Sequence, residues 1–141
     1  MNELEREENQ RIMPNYNEMT KEEALNAVNQ YAGAYDQLPK YLKEDKDIAL
    51  KTVEVDPWKI ENMSEQLRNN KKIVMAAVSR EGETYKFVGN ELKNNQEVIN
   101  QALQNDSDVK SLLTQEQKKK IPIKIEQQSR GRERILKEKE D

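Results

Sequence analysis

The sequence predicts an all-α protein: a short α-solenoid of four helical repeats, with a cap at the N-terminal end and a charged arm at the C-terminal end. Self-similarity is the first reason. The strings "LRNNKKIVMAAV" (67–78) and "LKNNQEVINQAL" (92–103) repeat one pattern at an interval of 25 residues, and a fixed period of this size is typical of stacked repeats. Composition is the second reason, because 34% hydrophobic and 36% charged residues suit an elongated fold that buries little surface per residue.

Four units of 25 residues follow one another without a gap when Pro14 is taken as the first position. The acidic segment 1–13 is the predicted N-terminal cap, and residues 114–141 are predicted to hold a degenerate repeat and the charged C-terminal arm. The first position always holds a residue that breaks or caps a helix. The four units cover residues 14–38, 39–63, 64–88 and 89–113.

A long helix is predicted to begin at position seven of each unit. The residues there are Thr20, Asp45, Asn70 and Asn95, all of them good N-caps, and Thr20 with Glu23 completes a capping box. Apolar residues follow at i, i+3 and i+4, which is the pattern of a helix buried along one side. One unit cannot cover its own apolar face, whereas four stacked units can.

A second, shorter helix is predicted after a break near position 19. Asp56 and Asp106 are its expected N-caps. A brief turn then carries the leucine of position four into the next unit. The residues that this second helix and its end are expected to bury are Tyr35, Ile60, Tyr85, Leu38, Met63, Val88 and Leu113.

The strings "ELKNNQEVINQAL" (91–103) and "QLRNNKKIVMAAVSREGETYKFV" (66–88) resemble a tandem repeat family of unknown function. The family pattern is E-L-[KR]-x-[DN]-x-[ED]-[VI]-[VI]-x-x-A-[VL], and the resemblance covers residues 14–113. It implies a helical repeat array with a binding role. It transfers no catalytic residue to this chain.

Composition argues against an enzyme. The chain contains neither cysteine nor histidine, so a thiol nucleophile, an imidazole base and a thiolate metal site are all excluded. The acid pairs Asp45/Asp47 and Asp106/Asp108 stand at predicted helix N-termini, where carboxylates complement the helix dipole. A pair alone offers too few ligands for a divalent metal. We therefore expect a protein without catalytic residues, cofactor or metal.

The sequence contains no signal for membrane insertion. Its start, "MNELEREENQ", is acidic and polar, unlike a signal peptide. The longest apolar run, from Ile73 to Val78, is far too short to cross a bilayer. We expect a cytoplasmic protein that makes no membrane contact, and the sequence leaves its oligomeric state open.

Aromatic residues that depart from the repeat pattern are the candidate partner-binding residues. Trp58 occupies a column that otherwise holds glycine and acids, so it is either an exposed interface anchor or a side chain folded over a neighbouring turn. Tyr16 and Tyr41 share a column with polar residues. Together with Tyr31, they are expected to form an aromatic surface on the first two units.

The C-terminal arm offers a second candidate surface. Residues Ile121 to Ile125 alternate apolar and polar side chains around a proline, which predicts an extended segment. Ser129 is the expected cap of a final charged helix over 130–140. The arm's bases could contact phosphates, although interleaved glutamates and the lack of aromatic residues weigh against this. These bases are Lys118, Lys119, Lys120, Lys124, Arg130, Arg132 and Arg134.

Two functions follow from these surfaces. The preferred prediction is a non-enzymatic module that binds another protein. A narrower form of it is a small inhibitor from a phage or mobile element that blocks a host factor such as a defence nuclease. The alternative is a nucleic-acid-binding protein that uses the basic arm while the repeats serve as scaffold.

Overall fold

A computed structural model describes residues 15–122 and residue 125, and this part of the chain is helical with no strand. Its main elements are α-helices of ten residues, which we call the first to fourth long helices. Their starts are 25 residues apart. The four are Lys21–Gln30, Lys46–Val55, Lys71–Arg80 and Gln96–Asn105.

Each long helix is followed by a 3₁₀-helix of six residues, so the predicted second helix forms but is not an α-helix. This is consistent with its length, because 3₁₀ geometry is used in short pieces. The first to fourth 3₁₀-helices are Ala32–Gln37, Pro57–Asn62, Gly82–Phe87 and Ser107–Leu112. A further 3₁₀ turn, Tyr16–Glu18, precedes the first long helix.

Short α-helices lead into the next unit, where the sequence predicted only turns. They are Lys40–Lys43, Glu65–Arg68 and Gln115–Lys119. Leu42 and Leu67 of position four lie buried in two of them. In the last one Gln117 takes the leucine position, and its amide nitrogen donates to Lys93 O at 3.0 Å. The repeat pattern therefore extends into residues 114–120 with a polar substitute.

The predicted N-caps of the long helices are confirmed. The Thr20 hydroxyl accepts from Glu23 N at 3.2 Å within a complete capping box. The side chains of Asp45, Asn70 and Asn95 likewise accept from amides in the first turn of their helices. The second set of caps is confirmed too. Asp56 accepts from Trp58 N at 3.1 Å, and Asp106 accepts from Asp108 N at 2.9 Å.

The long helices lie parallel to one another. At their starts, Lys21 Nζ lies 2.6 Å from Asp47 Oδ2 of the next helix. At their ends, Asn105 Nδ2 donates to Ser79 O at 3.2 Å. The starts of neighbouring long helices therefore lie side by side, and so do their ends. We call the side on which the long helices begin the amino edge, and the side on which they end and the 3₁₀-helices begin the carboxyl edge.

The core runs along the stack of long helices. The predicted apolar columns supply it: Ala24, Ala49, Val74 and Ile99 are buried, as are Val28, Val53, Val78 and Leu103. Tyr35 and Tyr85 complete it from the 3₁₀-helices, and their hydroxyls donate to Lys43 O and Lys93 O at 2.8 and 2.7 Å. Because each buried hydroxyl has a partner, the core holds these tyrosines without an unpaired polar group.

The prediction of an extended segment from Ile121 to Ile125 is wrong at Ile125. Ile125 is helical and buried in the same core, and its amide donates to Pro122 O at 3.0 Å. Burial in the core outweighs the alternating pattern at this residue. The predicted cap 1–13 and the predicted helix 130–140 lie outside the described residues.

Candidate functional site

Tyr31 is the most exposed of the large apolar side chains in the described part of the chain, at 72%. It follows the first long helix at the carboxyl edge. Its ring lies over Gly33, where a Cβ atom would collide with Tyr31 Cζ. The absence of a Cβ on Gly33 therefore leaves room for the ring, which remains open to solvent.

A groove of about 380 Å³ lies beside the Tyr31 ring, between the first and second units. Val55, at the end of the second long helix, contributes an aliphatic surface that is 37% exposed. Asp56 and Lys59 line the same groove. We call this the tyrosine groove. Its lining joins an aromatic ring, an aliphatic side chain and one charge of each sign.

A hydrogen-bonded pair fixes one wall of the tyrosine groove. Lys59 Nζ lies 2.7 Å from Asp36 Oδ2, and Asn62 Nδ2 donates to Asp36 Oδ1 at 3.1 Å. The bond to Asp36 raises the pKa of the Lys59 ammonium, against the opposing effect of burial. Since Asp36 belongs to the first 3₁₀-helix and Lys59 to the second, the pair ties two units together beside the groove.

Trp58 is half-buried and packs against the next unit. Its ring meets Phe87 edge-to-face with centroids 6.3 Å apart, a favoured aromatic geometry. Lys86 Nζ lies 5.4 Å from the Trp58 ring centroid. Trp58 thus joins the second and third 3₁₀-helices, as the folded-over alternative describes, and its role as a partner anchor stays a prediction.

The predicted aromatic surface on the first two units is not one surface. Tyr41 is 60% exposed but lies at the amino edge, where its hydroxyl donates to Met19 O at 2.8 Å. Tyr16, also on the amino side, is half-buried against the core. Tyr31 stands at the other end of a ten-residue helix, roughly 15 Å away. The tyrosines belong to two separate edges.

Three of the four carboxylates in the two acid pairs have structural roles. Asp45 caps the second long helix, and both Asp45 and Asp47 lie within salt-bridge distance of Lys21 Nζ, at 3.3 and 2.6 Å. The hydrogen bond from Lys21 lowers the pKa of Asp47. Asp106 caps the fourth 3₁₀-helix. Among the described residues, no group of three or more carboxylates could hold a metal ion.

The basic arm is described only at its beginning. Lys118 and Lys119 lie in the last short helix, and Lys120 is its C-cap. Lys119 and Lys120 are exposed, whereas Lys118 is half-buried. The other predicted phosphate contacts lie outside the described residues: Lys124, Arg130, Arg132 and Arg134.

An acidic stretch of the carboxyl edge escaped the sequence prediction. A small groove of about 160 Å³ between the third and fourth units is lined by Glu83, Asp106, Asp108, Ser111 and Leu112. Leu112 is 42% exposed. In the sequence, positions 18 and 20 of the last two units are all acidic. These acids can be placed on one edge only when the units are known to stack in parallel.

A parallel stack of helices that recur every 25 residues defines an α-helical repeat protein. The chain belongs to the family described as a domain of unknown function (DUF4116), because the family profile matches residues 20–68, 50–93 and 70–112. Three overlapping matches fit a repeated architecture.

Comparison with curated proteins found no match, and comparison with solved structures found none either. In the part of the chain that the structure describes, no helix combines the length and the apolar character needed to span a membrane.

Proposed function

We propose that this chain is a non-enzymatic helical-repeat module that binds another protein, and that Tyr31 on the carboxyl edge is its principal anchor. The supporting observation is the tyrosine groove. A tyrosine ring lies over a glycine, faces solvent, and borders a groove lined by Val55 and by the charged Asp56 and Lys59. Tyrosine is enriched among residues that dominate interface energies, and its rigid ring has only two side-chain torsions to immobilise on binding.

The neighbouring aromatic residues have supporting parts in this proposal. Trp58 stiffens the carboxyl edge through its contact with Phe87, so its replacement acts on the fold before it acts on binding. Tyr41 offers a second exposed ring at the amino edge. Tyr16, packed against the core, contributes less free surface.

The test is affinity capture from the source cells with the full-length protein and with Tyr31→Ser. Wild-type protein is expected to retain a partner that Tyr31→Ser loses by about tenfold or more, while both proteins keep the same helical content by circular dichroism. Tyr41→Ser changes an exposed tyrosine at the amino edge and should reduce capture less than Tyr31→Ser does. Equal capture by wild type and Tyr31→Ser would contradict the assignment of Tyr31.

Inhibition is the narrower form of the proposal. A small module that covers a surface of a host factor, such as a defence nuclease, would block it without chemistry of its own. Adding the purified protein to an activity assay of the captured partner tests this directly. Unchanged partner activity at saturating protein would leave a binding module that is not an inhibitor.

Nucleic-acid binding remains the second candidate, and exposed Lys119 and Lys120 at the start of the arm are the observation in its favour. Its test is a mobility-shift assay at low salt with wild type and Lys119→Gln/Lys120→Gln/Lys124→Gln. Binding that is sensitive to salt and weaker in the triple variant would support it. Absence of binding at low salt would rule it out.

A further inference from the structure

We draw no further inference here: the strongest candidate, the open groove of about 520 Å³ at the amino edge that Lys46, Glu65 and Glu91 line together with three carboxamide side chains, lies at the N-terminus of the third long helix and combines charges of both signs, and nothing in the structure shows what would bind there.

Discussion

At the scale of single residues, two glycines on the carboxyl edge leave room for different groups. Gly82 lies against the fourth long helix, where a Cβ atom would collide with the carbonyl oxygen of Ala102. Its amide also donates to Asn105 Oδ1 at 2.7 Å. Gly33 instead lies under the ring of Tyr31. One glycine thus makes room for backbone and the other for an exposed side chain.

We predict that Gly82→Ala lowers the free energy of unfolding by about 1–3 kcal/mol, because helix backbone can yield only by separating two units. Gly33→Ala should cost much less stability, because the exposed Tyr31 ring can swing away, but it should weaken partner capture as Tyr31→Ser does. Urea unfolding followed by circular dichroism measures both variants. Equal destabilisation by the two alanines would contradict this distinction.

Tyr35 gives the fold a dependence on alkaline pH. Its pKa is raised, first by burial and then by the charges of Glu44 and Asp36. An unfolded tyrosine loses its proton near about pH 10, whereas the folded one keeps it to higher pH. The stability that this group contributes is therefore complete below about pH 10 and is lost as pH rises from there toward the folded pKa.

We predict that Tyr35→Phe reduces the steepness with which stability falls above about pH 10, by at most ~1.4 kcal/mol per pH unit. At neutral pH the same variant should lose about 1 kcal/mol, because Lys43 O loses its hydrogen bond. Burial also raises the pKa of Tyr85, so a double variant with Tyr85→Phe should flatten the profile further. Identical alkaline profiles for all three proteins would refute this account.

At the scale of elements, the adjacent asparagines Asn69 and Asn70 cap different parts of the structure. Asn70 caps its own long helix, because its side chain accepts from Ile73 N at 3.1 Å. Asn69 caps the following unit instead, since its side-chain oxygen accepts from Glu91 N at 3.1 Å. The same oxygen occupies the space that a Cβ on Gly89 would need. Asn69 and Gly89 therefore fit one another across the boundary between two units.

We predict that Asn69→Ala and Gly89→Ala each lower the free energy of unfolding by about 1 kcal/mol, since each one ends the bond to Glu91 N. The double variant should cost less than the sum of the two, because the three atoms nearest to a Cβ on Gly89 all belong to the Asn69 amide. A double-mutant cycle by urea unfolding measures the coupling. Additive losses would contradict the contact.

At the scale of the whole molecule, the constant period makes the solenoid tolerant of losing a full unit. Removing residues 52–76 joins Lys51 to Ala77 inside one long helix and keeps every column in register. We predict a folded protein with the same type of helical spectrum and a free energy of unfolding lower by at least roughly a quarter, since repeat stability is a sum over units and their interfaces.

A control deletion removes one residue fewer and so shifts the register of the repeat by one position. Deleting 52–75 joins Lys51 to Ala76 and turns the rest of that helix by about 100°, so that buried columns face solvent. This variant should fail to unfold cooperatively. Comparable stability for the two deletions would show that the 25-residue register does not govern stacking.

Much of each unit could be predicted from residues close together in the chain. Thr20 and Asn95 predict helix starts, because capping is a local hydrogen bond. The spacing of the apolar residues predicts the buried face of each helix. The 3₁₀ form of the second helix was missed, because six residues carry no period that separates it from an α-helix. The sequence does not predict the helical burial of Ile125, because that burial depends on a core built from residues far from it in the chain.

Part of the candidate site could likewise be predicted from the sequence, and part could not. Residue types inside one unit were enough to define its helices, its caps and its core, since those depend on neighbours a few positions away. The edges depend on stacking. Parallel helices send Tyr31 and Tyr41 to opposite ends and gather Tyr31 with Val55, and Glu83 with Asp108, from units 25 residues apart. The direction of stacking is a property of packed surfaces and of no single segment, and it decides which of these residues lie together on one edge.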